Sequence, residues 1–211
     1  MDTNSQKEDG WIVPELVLAT RNKHKTREFH ELLGDQFELT DLSSYENIEL
    51  PGETGSTFEQ NAILKAIPVS KVVDKIVIAD DSGLQVDALG GTPGIYSARY
   101  AGENATDEQN IEKLLSELRD RNVADQKRVA RFLCVIALAQ NGKLICTFSG
   151  SVEGTIVAPP RGPNGFGYDP VFQPAGFFRT FGEMMPDLKN RISHRAKAVE
   201  ALRARLRQIA N

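Results

Sequence analysis

Asp80-Asp81-Ser82-Gly83 follows directly on Ile76–Ala79, an apolar run rich in β-branched residues. A buried strand running into two carboxylates places them at its carboxyl end, where ligands bind in α/β sheets. Adjacent carboxylates repel and are best tolerated beside a cation. Hard oxygen donors suit Mg²⁺, which keeps several waters and shares its shell with substrate phosphates. The plain alternative is a strand ending in an Asp-rich turn, but an apolar strand feeding two acids favours a functional site. Glu53, Glu59, Asn61 and Lys65 lie upstream. Ser56 and Glu59 fit a capping box at a helix start, which gives Glu59 a structural task and leaves Glu53 as the better metal candidate. Lys65 shares a helical face with Asn61 and has apolar sequence neighbours; it either snorkels or points at a phosphate.

A second kind of chemistry is anion binding. Thr20-Arg21-Asn22-Lys23-His24-Lys25-Thr26-Arg27 crowds cations onto a helix start, where the macrodipole is already positive. Each such charge costs about 0.3–1 kcal/mol when nothing offsets it. A phosphate reverses that sign and meets free backbone amides. Taken alone, the segment fits a solvated basic turn equally well. It lacks the glycine pattern of a P-loop, so a standard kinase or ATPase is not supported. Ser193-His194-Arg195, with Lys189 just before it, repeats the pattern of potential cations opening a helix. Gly165-Phe166-Gly167-Tyr168-Asp169-Pro170 flanks an aromatic ring with glycines, which lets a ligand approach closely. Phe166 there either stacks on a base or belongs to a plain turn.

The elements that must hold these residues alternate. Leu16–Ala19 reads as a strand, followed by a loop and a helix ending at Gly34, then a strand over Phe37–Leu42 and a polar loop over Ser43–Gly55. A helix starts at Ser56 and runs through Ala66, with Pro68 kinking or ending it. Leu84–Leu89 alternates like a strand. Thr106 caps a helix through Arg119, with Ile111, Leu114, Leu115 and Leu118 as its apolar stripe. Val129–Ala139 and Lys143–Phe148 form a hairpin around Asn141-Gly142. A two-residue turn sets Cys146 opposite Ala137, three residues from Cys134. That odd offset puts the two thiols on opposite sheet faces, so both are expected reduced. Pro159–Pro170 is a Gly/Pro-rich loop, and Thr180 and Glu183 cap a short helix. The last helix, His194 to Ile209, turns Val199, Leu202, Leu206 and Ile209 inward. A crossover unit together with a hairpin gives an α/β class with a mixed sheet.

Composition narrows the function. The chain has 211 residues, is 40% apolar and 26% charged, and carries a net charge of −4, so a basic nucleic-acid scaffold is not expected. No apolar run reaches the ~20 residues that span a bilayer, and the polar start is not a signal peptide, so a cytoplasmic location is expected. Residues 1–14 read as a disordered or loosely attached tail, and 15–211 as a single domain.

In this order, Leu16–Lys25, Glu53–Ala66, Ile78–Tyr100, Phe166–Phe172 and Lys189–Ala196 resemble the inosine/xanthosine triphosphate pyrophosphatase family, also called HAM1-like or RdgB-like. The most diagnostic stretch is Ala79–Leu84 continuing to Gly94-Ile95-Tyr96-Ser97-Ala98-Arg99-Tyr100. The resemblance implies an elongated mixed sheet flanked by helices, with two lobes and a central substrate cleft. It implies hydrolysis of ITP, dITP, XTP and dXTP to the monophosphate and pyrophosphate, with Mg²⁺, in a homodimer. Asp81 matches the proton acceptor and a metal ligand, Glu53 a second metal position, and Lys65 a group facing phosphate. Thr20, Arg21, Asn22, Lys23, His24 and Lys25 match the triphosphate loop, and Ser82 touches substrate. Phe166, Gly167, Tyr168, Asp169, Lys189, His194 and Arg195 match the base pocket. Arg21, Pro68 and the extra tail depart from the pattern; Arg21 is expected to raise phosphate affinity at the expense of selectivity. A broader nucleotide phosphohydrolase and a nucleotide-sensing module without turnover are the alternatives.

Overall fold

A computed structural model describes residues 15–210; the tail expected over residues 1–14 lies outside them. Six strands form one mixed sheet in the order β2-β1-β3-β4-β5-β6. β1 (Glu15–Leu18) pairs in parallel with both β2 (Glu38–Asp41) and β3 (Ile76–Val86). β3 pairs antiparallel with β4 (Val129–Gln140), β4 with β5 (Lys143–Ile156), and β5 with β6 (Phe172–Pro174). The helices are α1 (Lys23–Leu33), α2 (Phe58–Val72), α3 (Asp107–Asp120), α4 (Pro186–Ile192) and α5 (His194–Ala210). Among the described residues, no helix is long and apolar enough to cross a membrane.

β3 decides the layout. Its pairing with β1 stops at Leu18–Ile78, whereas its ladder with β4 continues to Val86–Ala130. The first half is therefore covered on both faces. Ile78 packs with Leu16, Leu18, Phe29 and Leu202 on the side of α1 and α5, and Val77 and Ala79 pack with Ala62, Ala66 and Val69 of α2. Past the end of β1, Leu84 and Val86 join Leu114 and Leu118 of α3 and Phe172 in a separate core. Asp80–Gly83 lies where the cores meet, which gives the two lobes and the cleft a physical basis.

Several local expectations need correction. β3 does not end at the acids but runs through Asp80–Gly83 unbroken, because β4 supplies hydrogen-bonding partners along it from Val77 to Val86. The carboxyl end beside which the acids lie belongs to β1. Thr57, not Ser56, caps α2; its side chain accepts from Gln60 N, while Gln60 Oε1 reaches back to Ser56 N. Glu59 instead accepts a 2.7 Å bond from the Thr147 hydroxyl. Pro68 does not end α2, which continues to Val72. Pro68 and Leu64 lie on its exposed face, so the Leu64 carbonyl that loses its helical partner is not in the core.

Asn141 and Gly142 do close the hairpin, at φ 51° and 73°, as a two-residue turn with both residues left-handed requires. A register shift after Leu138 sets Cys146 opposite Leu138 rather than Ala137. Cys134, opposite Gly150, is then on the same face as Cys146, about four residues or 13 Å along the ladder. Both thiols are free, by separation rather than by opposite faces. The short helix α4 was not anticipated, and Ile209 is 36% exposed rather than inward.

Candidate active site

The strand period of two divides the acids. Asp80 faces α1 and α5. Its Oδ1 pairs with Lys25 Nζ, and its Oδ2 accepts from Arg195 Nη2 at 3.1 Å and from Cys134 Sγ at 3.2 Å. Asp81 faces α2, where Lys65 Nζ donates to Asp81 Oδ1 at 3.2 Å and to Glu53 Oε1 at 2.7 Å. Arg99 takes the other oxygen of Glu53 at 3.0 Å. Ser82, back on the Asp80 face, accepts from Arg195 Nη2 at 2.8 Å.

These surroundings drive the carboxyls apart. Burial raises both, but for Asp80 the charges of Arg195 and Lys25 win and hold it well below the usual carboxylate range. For Asp81 burial wins over Lys65, assisted by the nearby Glu53, and its carboxyl is pushed up to about 6. Glu53 is held at about 2, burial being outweighed by Lys65 and by its hydrogen bonds to Lys65 and Arg99.

The opposite wall carries an aromatic platform. Gly165 and Gly167 have φ of 78° and 59°, which turn the chain tightly about Phe166. A Cβ on Gly165 would lie 2.8 Å from Asp169 Cγ, so only glycine admits the carboxylate that pins this loop. Asp169 Oδ2 accepts from Phe166 N at 2.9 Å and from Lys189 Nζ at 2.6 Å. Gly167 N donates to Asp107 at the start of α3, at 2.6 Å, and the Tyr168 hydroxyl donates to Ser97 O at 2.9 Å. The Phe166 ring stacks with His24 at 5.3 Å between centroids. Between the walls lies a cleft of about 260 Å³ whose lining includes Lys25, Asp81, Ser82, Phe166, Lys189 and His194.

The Ham1 family model matches residues 16–205. The chain belongs to the Ham1 family. It is 49% identical over 189 residues to the dITP/XTP pyrophosphatase of Shouchella clausii, covering 90% of this chain and 94% of the relative. It is 49% identical over 195 residues to that of Bacillus subtilis, covering 90% and 96%. Among solved structures, a HAM1 protein from Coxiella burnetii superposes with a TM-score of 0.83 at 42% identity, covering 93% of this chain and all of that one. The Staphylococcus aureus Ham1 protein gives 0.80 at 43%, covering 92% and 98%.

Within this Ham1 fold the expected site residues part company. Asn22, Lys25, Glu53, Asp81, Ser82, Phe166, Gly167, Tyr168, Asp169, Lys189, His194 and Arg195 line the one cleft, and Lys65 ties its acids together from behind. Thr20, Arg21, Lys23 and His24 are not in that lining. Thr20 Oγ1 accepts from Asn22 N, and Lys23 is exposed. The Arg21 guanidinium donates to the carbonyls of Leu42, Tyr45 and Ile48, so it fastens the chain after β2. Asn22 caps α1, accepting from His24 N and Lys25 N, which leaves its amide NH₂ as the donor toward a ligand. His194 differs from the expected cation only in its charge. Full burial and the adjacent Arg195 hold it far below its ordinary value, so this helix start carries one cation and a neutral ring.

Arg195 itself is 1% exposed, with Glu28 and Asp80 answering its charge. Glu28 was missed from sequence. It also accepts from Lys189 at 2.7 Å, and its carboxyl is held at about 2 because Arg195 and Lys189 overcome the cost of burial. An acid amid the cations of α1 was the available signal, but nothing in sequence tied it to a lysine 161 positions away. Arg99, Ser97 and Asp107 were missed as site-forming residues too; the first two lie in the stretch already singled out as diagnostic.

A divalent metal fits this donor set only with help from substrate. Among the described residues, no group of three His, Cys, Asp or Glu side chains converges as a cage. Glu53 and Asp81 share Lys65, and Asp81 Oδ2 is buried without a hydrogen-bond partner. Two carboxylates with one bare oxygen suit a hard cation that fills its remaining positions with water and phosphate oxygens.

Proposed function

We propose that this protein hydrolyses the non-standard purine nucleoside triphosphates ITP, dITP, XTP and dXTP to the monophosphate and pyrophosphate, using Mg²⁺. The observation that carries this is Asp81: a buried carboxyl pushed up to about 6, with one bare oxygen, beside Lys65 and opposite an aromatic platform in a single cleft. The names of the relatives support the same substrate class.

In this scheme Asp81 orients a water toward the α-phosphorus and takes its proton. A bond from the water oxygen to phosphorus forms as the bond to the pyrophosphate oxygen breaks. General-base assistance of this kind contributes about 10²–10⁴ in rate. Lys25 and Lys65 offset the charge on the triphosphate. Glu53 and Asp81 would hold Mg²⁺, which neutralises and orients phosphate oxygens. Phe166 supplies the stacking face for the base.

Base choice follows from unused donors. Arg195 Nε and His194 Nδ1 are buried without partners. Arg195 Nε can only donate, so a 6-oxo purine acceptor satisfies it, whereas the 6-amino group of adenine leaves donors facing each other. Sites that depend on buried hydrogen bonds reject mismatched analogues by roughly 10⁴.

Residues 15–211 are taken as one catalytic domain, because both lobes are built on the same strands β3 and β4, and the working form as a homodimer. The test is pyrophosphate release from ITP, XTP, dITP, ATP, GTP and dUTP with and without Mg²⁺. Metal-dependent turnover confined to the 6-oxo, non-standard purines supports the proposal. Equal turnover of all six makes it a broader nucleotide phosphohydrolase; binding without turnover makes it a sensing module.

A further inference from the structure

The stretch Gly94–Tyr100 takes no part in the reaction scheme above, although it is the most diagnostic in the sequence. Its residues Gly94–Arg99 form a 3-10 helix packed on β3. Ser97 Oγ accepts from Leu84 N at 2.9 Å and donates to Gly94 O at 2.6 Å. Only glycine at position 83 leaves room for this, since a Cβ there would come within 2.5 Å of Gly94 O. The helix is thus a fixed strut, and Arg99 stands at its end.

Glu53 has no such frame of its own. Residues 45–57 contain no helix or strand, and a carboxylate on such a loop loses rotor freedom when it is ordered. Arg99 grips this residue twice, with Nη1 on Oε2 at 3.0 Å and Nη2 on the Glu53 carbonyl at 3.4 Å. The remaining oxygen, Oε1, lies on Lys65, which also reaches Asp81.

We propose that Arg99 is a positioning residue for metal binding: it presets the Glu53 carboxylate beside Asp81, so that a divalent cation finds one ligand already oriented. This rests on the assignment of Glu53 and Asp81 as metal-holding residues. A cation near a metal also repels it, and here the two effects oppose. Positioning wins because the charge of Arg99 is already met by Glu53 and, at 3.6 Å, by Glu103. Removing groups that orient metal ligands typically weakens metal affinity about 10–100-fold.

The experiment measures Mn²⁺ binding to the full chain by electron paramagnetic resonance, with and without inorganic pyrophosphate, for Arg99→Ala, Arg99→Lys, Glu53→Gln and the Arg99→Ala/Glu53→Gln pair. Arg99→Ala is expected to weaken Mn²⁺ binding about 10–100-fold. Arg99→Lys should recover part of that loss, and the pair should bind no more weakly than Glu53→Gln alone. The Mn²⁺ concentration that gives half-maximal turnover should rise for Arg99→Ala in step with the loss of binding. If Glu53→Gln weakens binding while Arg99→Ala leaves it unchanged or tightens it, the positioning role is overturned and the metal assignment survives. If Glu53→Gln itself binds normally, the metal assignment falls, and the role of Arg99 with it. Should Arg99→Ala fail to fold, Arg99→Lys carries the same comparison.

Discussion

Asp80 and Asp81 are consecutive in the chain yet face opposite sides of β3, and cations from different helices answer them. Lys25 of α1 and Arg195 of α5 meet Asp80; Lys65 of α2 meets Asp81. Two carboxylates that sequence reasoning treats as one repelling pair are therefore separate devices. One is held far down as a counter-ion joining two helices, and the other is pushed up to about 6 beside a bare oxygen. Environments that drive neighbouring acids apart are how a site divides structural and proton-transfer work.

The division predicts different phenotypes for two chemically identical substitutions. Asp81→Asn keeps the fold and loses about 10²–10⁴ in kcat, because the amide cannot take the proton. Asp80→Asn strips the counter-ion from two buried cations, and breaking a buried pair costs about 3–5 kcal/mol. Its signature is a lower Tm. Thermal melts and steady-state kinetics on both variants separate them; an Asp81→Asn enzyme with most of its turnover would remove Asp81 from the chemistry.

Glu28 gives a pH-dependent term. Its carboxyl, ordinarily at 4.5, is held at about 2 by Arg195 and Lys189 in spite of burial. A depressed folded value stabilises above the unfolded one, so the contribution is complete above about pH 4.5 and is lost as pH falls toward 2. The shift corresponds to about 3 kcal/mol, as an order of magnitude. Glu28→Gln should be less stable at neutral pH by that order, and the gap to the parent should narrow as pH falls from about 4.5 toward 2. Urea midpoints from pH 7 to pH 3 measure it; a constant gap would mean that Glu28 contributes through packing instead.

How far the sequence foretold this depends on the reach of each interaction. The cap at Thr106, the turn at Asn141-Gly142 and the stripe of α3 were legible because their partners lie within a few residues. The passage of β3 through Asp80–Gly83 was not, because it is imposed by β4, more than fifty positions away. That α2 continues past Pro68 was not legible either, because helix propensity says nothing about which face meets solvent. At the site, residue types and order pointed to the cleft, but charge states did not. His194 reads as a potential cation and is neutral by burial, the carbonyls that Arg21 holds lie more than twenty positions away, and Glu28 acquires its role only when α1 meets α4 and α5.

A glycine outside the cleft should matter for base choice. α5 lies so close to Gly150 of β5 that a Cβ there would stand 2.6 Å from Ala198 N and closer still to the His194 carbonyl. Backbone cannot yield as a side-chain tip can, so Gly150→Ala must displace the first turn of α5, with His194 and Arg195 on it. Overpacking of this kind costs about 1–3 kcal/mol. The specific expectation is a reduced preference for ITP over ATP with the metal requirement unchanged. An enzyme with a lower Tm but the parent preference would show that the first turn of α5 does not select the base.

Phe166 should act on binding rather than on chemistry. Its ring is held from several sides: His24 stacks at 5.3 Å, Lys189 Nζ stands 4.9 Å from the centroid, and Asp169 fixes its backbone. A preset aromatic face gains stacking with a base without first being ordered. Such stacking is worth about 1–3 kcal/mol, so Phe166→Ala should raise KM roughly 5–150-fold. Stacking reads the face of a purine and not its edge, so ITP and XTP should lose equally and kcat should change little. Steady-state kinetics with both substrates make the check. A collapse of kcat at constant KM would instead mean that the ring positions the α-phosphorus, and unequal losses would give Phe166 a share in reading the base.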